Sequence, residues 1–253
     1  LGGLNPFGFH LVNFLVHLLN MGLLFEIFRR VLSSSYFSEA IRKDSLLIAA
    51  VIAGLWGLHP LQTGAVTYII QRAESLMSLF YLLTLYCFIR SQEGLRERGW
   101  LLFSCLFCYL GMATKEVMIS APVLVLLYDS IFVERKWSRL WSSRRFYYYG
   151  LLSSWSLVAF LNHATKTRSG VYGFTGPITL GEHLQTQSWA LIHYLKLMIW
   201  PDTLVLDYGI VKILESRVYL TCGLAILIIV GGILWLLWRK PAWGLWGLWA
   251  IFL

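Results

Sequence analysis

From Leu46 to Leu58, and again from Leu76 to Ile89, the chain carries no charged side chain, yet the stretch between them holds His59, Gln62, Gln71, Arg72 and Glu74. Apolar runs of the same kind recur at Pro6–Phe28, Val117–Phe132 and Val218–Trp238, each broken by at most one charge. A hydrocarbon layer ~30 Å thick takes about 20 apolar residues of helix to cross. Backbone groups inside it must be satisfied within the protein, which leaves helices and closed barrels as the only spanning structures. A barrel would show short segments of alternating polarity, and this sequence does not. The expected fold is all-α, a polytopic transmembrane helical bundle of about eight to nine membrane helices, forming one transmembrane domain over residues 1–253.

Composition narrows the function classes. With 58% hydrophobic and 13% charged residues, neither a soluble domain nor a disordered chain fits. The net charge of +8 does not indicate nucleic acid, because the basic residues are confined to short loops between apolar runs. The cysteines Cys87, Cys105, Cys108 and Cys222 all lie inside apolar runs, where they read as small packing residues despite the suggestive spacing of Cys105 and Cys108. No set of His, Cys and carboxylate residues has metal-ligand spacing, and no cofactor is expected. The chain opens on Leu1-Gly2-Gly3 and stops within the apolar run Trp243–Leu253, so it is expected to be part of a longer protein.

Taken in order, the sequence predicts helices over Pro6–Phe28 and Ser45–Leu58, the latter ended by His59-Pro60, since the residue before proline is driven from the α region. A short interfacial helix over Gln62–Ile70 follows, then helices at Ala73–Ile89, Trp100–Ala113, Val117–Phe132, Phe146–Asn162 and Val218–Trp238. His10, Asn13, His17 and Asn20 share one face of the first helix and should hydrogen-bond across helices. Glu182–Trp200, rich in His and Gln, is expected to be re-entrant or interfacial rather than spanning.

Counting Lys and Arg sets the orientation. The loops after the first, third and fifth main helices hold Arg29, Arg30, Arg42, Lys43, Arg90, Arg96, Arg98, Arg135, Lys136, Arg139, Arg144 and Arg145. The alternate loops hold only Arg72, Lys115, Lys166 and Arg168. Cytosolic loops are enriched in Lys and Arg, which puts the His59–Glu74 and Lys115–Glu116 turns on the non-cytosolic side. Ionisable groups at a membrane boundary mark a functional site by default. Arg72 and Glu74 are poorly spaced to pair with each other on a helix, as are Lys115 and Glu116. Two solutions follow: a crossed pairing, Arg72 with Glu116 or Lys115 with Glu74, or cations held ready for an anionic ligand such as a phosphate whose tail lies in the bilayer. His59, Asp207 and Tyr208 are either interface residues or part of that site. Residues alone leave open a transporter or flippase of an anionic solute and a non-catalytic membrane anchor.

Several segments together carry a family resemblance. Asn5-Pro6-Phe7-Gly8-Phe9-His10 with Asn13, His17 and Asn20, Leu58-His59-Pro60-Leu61-Gln62-Thr63, Gln71-Arg72-Ala73-Glu74-Ser75, Thr114-Lys115-Glu116, Leu126-Leu127-Tyr128-Asp129 and Leu206-Asp207-Tyr208-Gly209 resemble, in order, segments of the TMTC-type proteins. These are the transmembrane and tetratricopeptide-repeat members of the GT-C glycosyltransferases. The resemblance implies transfer of a sugar, typically mannose, from a polyprenyl-phosphate donor to Ser or Thr hydroxyls of an acceptor protein. The site would face the periplasm or exterior of a bacterial inner membrane, or the lumen of the endoplasmic reticulum. It implies Arg72 and Lys115 as donor-phosphate groups, supported by His59, Gln71, Glu74, Glu116, Asp207 and Tyr208. In such families the acidic general base lies in an outer loop that would precede Leu1, so no residue here is expected to fill that role. The implied partners are a lipid-linked sugar donor, an acceptor protein and membrane lipid, with no nucleic acid.

Overall fold

The structure, a computed structural model, describes residues 6–69, 71–94, 96–134, 136–166, 180–202, 204–205 and 216–240. Every element in this set is helical: α1 (Phe7–Leu32), α2 (Glu39–Lys43), α3 (Ser45–Gly57), α4 (Thr63–Thr67), α5 (Arg72–Ser91), α6 (Glu97–Thr114), α7 (Ala121–Tyr128), α8 (Trp137–Lys166), α9 (Leu180–Ile199) and α10 (Ser216–Arg239). The all-α expectation holds among the described residues. The contacts of the chain group into two compact units, Leu1–Asn162 and His163–Leu253.

Four described segments are long and apolar enough to cross a membrane: Phe7–Leu32, Arg72–Ser91, Glu116–Val133 and Leu220–Arg239. A fifth arises if the bent pair Ser45–Gly57 and Pro60–Thr67 forms one broken span. This corrects the expectation of about eight to nine membrane helices to four or five among the described residues. Length and charge account for the difference. The 13 residues of α3 extend about 20 Å at 1.5 Å per residue, short of the layer. Helix α6 opens on Glu97 and Arg98, α8 carries Arg139, Arg144 and Arg145 in its first half, and α9 holds His183, Gln185, Gln187, His193 and Lys196.

In the first unit, α5 is the central element, packed against α1, α6 and α7. Leu24, Ile27 and Val31 of α1, Leu82 and Phe88 of α5, Met118, Val125 of α7, and Leu140, Tyr148 and Leu151 of α8 are among its most fully buried apolar side chains. The Phe88 ring stacks on Tyr147 at 5.5 Å and meets Tyr128 edge-on, tying α5 to α7 and α8. Without water to compete, short polar side chains also bridge helices: Ser104 Oγ of α6 donates to Thr84 O of α5 at 2.7 Å and lies 2.8 Å from the Tyr147 hydroxyl of α8. Cys108 is buried 3.4 Å from Ser154 Oγ, a packing role. The return from α5 to α6 takes only a few residues and needs left-handed backbone at Gly94 (φ 87°) and Arg96 (φ 63°). Glycine meets that demand without steric cost.

Two segments expected as loops are partly helical. Arg42 and Lys43 close the short helix α2. Arg139, Arg144 and Arg145 lie in the first half of α8, which departs from helical geometry at Arg144 (φ −124°, ψ 17°). In the second unit, α9 is continuous over 20 residues and packs against α10, with Trp189 stacked on His193 at 4.8 Å one helical turn away.

Candidate functional site

The His59–Glu74 turn begins where α3 fails. Pro60 forces His59 into extended backbone (φ −66°, ψ 134°), and the chain bends by 53° between Ser45–Gly57 and Pro60–Thr67. His59 Nδ1 then accepts the Leu61 N–H at 3.2 Å, capping the 3-10 turn Pro60–Gln62. That diverts the donor which would otherwise reach the Gly57 carbonyl, and inside a membrane a carbonyl so released must find another partner. The face of α1 supplies it. His17 Nε2 donates to Gly57 O at 2.8 Å, Asn13 Nδ2 donates to Tyr68 O at 3.0 Å and Val66 O at 3.4 Å, and Asn20 Nδ2 donates to Ser75 O at 3.0 Å. Ser75 Oγ reaches back to Ala65 O at 3.2 Å. Asn13, His17 and Asn20 are all buried. The polar stripe is therefore the fastening of the broken turn, while His10 takes no part in these bonds. Closeness matters too: a Cβ on Gly57 would lie 2.5 Å from Met21 Sδ.

Two cations arrive at this end of the unit by different routes. Lys115 occupies an extended link (φ −158°, ψ 144°) between α6 and the 3-10 turn Glu116–Ser120. Its Nζ forms an ion pair with Glu74 Oε1, and both side chains keep about a third of their surface exposed (34% and 39%). Of the crossed pairings foreseen, this is the one formed; Glu116 is exposed and enters no ion pair among the described residues. Arg72, the first residue of α5, instead lays its guanidinium over the Phe9 ring, 4.9 Å from the centroid. Its Nε is buried with no hydrogen-bond partner. Gln71 stands at the N-cap of α5 without a side-chain capping bond, and the positive end of this 20-residue helix lies beside the two cations. Glu74 is taken up by Lys115 and Glu116 stands exposed beside it, while the Arg72 guanidinium enters no ion pair among the described residues and suits a mobile anion. Asp207 and Tyr208 lie outside the described residues. Among the described residues no group of His, Cys, Asp and Glu could hold a metal ion.

The opposite end of α5, about 30 Å away at 1.5 Å per residue, is electrostatically closed. Arg144 Nη1 lies 2.8 and 3.0 Å from the two oxygens of Asp129, Arg144 Nη2 donates to Gln92 Oε1, and the Tyr148 hydroxyl donates to Asp129 Oδ2 at 2.5 Å. Arg30 pairs with Glu26 and Glu93, and Arg90 with Glu93. Sequence reasoning did not single out this clasp, although an acid inside an apolar run is itself a signal. Nor did it single out Phe9, whose position one turn before Asn13 puts it on the same face.

Curated proteins similar to this chain carry the name protein O-mannosyl-transferase. Human protein O-mannosyl-transferase TMTC2 is 36% identical over 134 residues, 51% of this chain and 15% of the relative. Xenopus laevis protein O-mannosyl-transferase tmtc2 is 27% identical over 228 residues, 82% of this chain and 26% of the relative. Human protein O-mannosyl-transferase TMTC4 is 28% identical over 140 residues, 52% of this chain and 19% of the relative. The chain thus spans about a quarter or less of the length of these relatives. No protein-family model matches it, and no solved structure does.

Proposed function

We propose, taking the chain as a TMTC-type sequence on the similarity just described, that it forms the donor-side part of a membrane glycosyltransferase. The sugar, mannose as in the names of the relatives, passes from a polyprenyl-phosphate to Ser or Thr hydroxyls of a protein on the non-cytosolic side. The observation that carries this reading is the meeting of the Arg72 turn and the Lys115 turn at one end of α5, joined by the Lys115–Glu74 pair. A phosphate anchored by a lipid tail sits at the membrane boundary, the depth of these side chains. Arg72 offers it a planar fork and Lys115 a point charge that Glu74 orients.

The acceptor oxygen attacks the anomeric carbon from the face opposite the phosphate. The bond from that carbon to the phosphate oxygen breaks, the phosphate keeps the electron pair, and the hydroxyl proton passes to a carboxylate base. Charge therefore develops on the leaving phosphate, where preorganised cations lower the barrier most. Glu74 is held by Lys115 and is not the base; none is assigned within this chain.

Proteoliposomes holding the full-length protein that carries this chain, given polyprenyl-phosphate mannose and a Ser/Thr-rich acceptor protein, test the proposal. Mannose transfer should appear and fall at least about tenfold at limiting donor in Arg72→Ala, the effect of roughly one charge-assisted contact. Transfer that stays at the wild-type rate in both Arg72→Ala and Lys115→Ala removes the cations from the site.

A further inference from the structure

We propose that Phe9 is the positioning residue of this phosphate site, a shelf that holds the Arg72 guanidinium by its face and leaves its edge for the ligand. The inference rests on the reading above and names the device behind it.

The contrast between ring-held arginines carries the argument. Arg30 lies over Tyr86, Arg90 over Trp100 and Arg144 over Phe88, and each is also neutralised by a carboxylate from Glu26, Glu93 or Asp129. Arg145 and Arg239 merely cover the adjacent rings of Phe146 and Trp238. Arg72 is different: its ring comes from 63 positions away in sequence and it enters no ion pair among the described residues. A carboxylate partner would occupy the in-plane donors of a guanidinium. A ring attracts the cation through its face and uses none of the five N–H groups. The placement is not accidental to the fold, because Asn13, one turn along α1, ties down Tyr68 O and Val66 O shortly before Arg72. A stacked fork with unused edges matches a phosphate monoester, whose oxygens accept two parallel N–H bonds.

The test measures equilibrium binding to the purified full chain in detergent, with a short-chain polyprenyl phosphate in one arm and inorganic phosphate in the other. Phe9→Leu should weaken binding about fivefold, the size of one partly exposed cation–π contact, while Phe9→Tyr and Phe9→Trp stay within about twofold. Arg72→Ala should weaken it at least about tenfold, and adding Phe9→Leu to Arg72→Ala should cost nothing more, because Phe9 acts through Arg72. Equal loss from Phe9→Leu in both backgrounds, or failure of the aromatic variants to restore binding, overturns the shelf and leaves the site standing. Wild-type binding by Arg72→Ala overturns both. The same losses with inorganic phosphate support a shelf that reads the phosphate group alone; losses confined to the lipid arm support one that reads a lipid-anchored phosphate.

Discussion

Replacing Asp129 by alanine tests whether the closed end of the bundle rests on its buried clasp. Asp129 is 0% exposed and the Arg144 side chain 15%, so removing the carboxylate strands a guanidinium away from water, with Gln92 as its remaining partner, and leaves the Tyr148 hydroxyl without its acceptor. Breaking a buried pair on one side costs about 3–5 kcal/mol, and a hydrogen bond to a charged group alone is worth about 1.5–3 kcal/mol. Asp129→Ala should therefore lose about 4 kcal/mol, as should Arg144→Met, which strands the acid instead. The double variant should cost far less than the sum, because two buried charges removed together leave no uncompensated ion. The assay is equilibrium unfolding in mixed detergent micelles, followed by tryptophan fluorescence. A loss below about 1 kcal/mol for Asp129→Ala, or strictly additive single effects, would refute this reasoning.

Asn13→Leu should leave the carbonyls of Val66 and Tyr68 without their donor and destabilise the unit by about 1–3 kcal/mol, read in the same unfolding assay; Leu18→Ala, on the exposed face of α1, should cost much less. Gly111→Ala should cost about 1–3 kcal/mol, since its Cβ would lie 2.7–2.9 Å from three atoms of Met118, a residue that is 0% exposed. Met118→Ala in the same chain should relieve that clash, and an unchanged cost would place the strain elsewhere.

The sequence made the helical class plain through its uncharged apolar runs, and it located the break at His59-Pro60 because proline acts on its immediate neighbour. It also marked Asn13, His17 and Asn20 as a bonding face, because a helical period suffices to align them. Which backbone groups they would meet was not legible, since Gly57, Val66 and Tyr68 become acceptors only once the chain has bent. The four ionisable groups Arg72, Glu74, Lys115 and Glu116 could be assigned to one end by loop charge, but choosing between two crossed pairings needed the extended backbone at Lys115. Apolar composition alone overcounts the spans because it carries no length: α3 stops at Gly57, three residues before Pro60. The charge cluster around Arg144 breaks the apolar pattern and reads as a loop, whereas the buried Asp129 draws that arginine into a kinked helix.

Both cationic turns must share the non-cytosolic face for Arg72 and Lys115 to meet one lipid-anchored phosphate. In a variant with its four native cysteines replaced by serine, Glu116→Cys and Lys136→Cys can be probed in sealed, oriented vesicles with a membrane-impermeant maleimide. Glu116→Cys should react only with reagent applied to the lumenal or exterior side, and Lys136→Cys only with reagent on the cytosolic side. Labelling of Glu116→Cys from the cytosol would contradict the account.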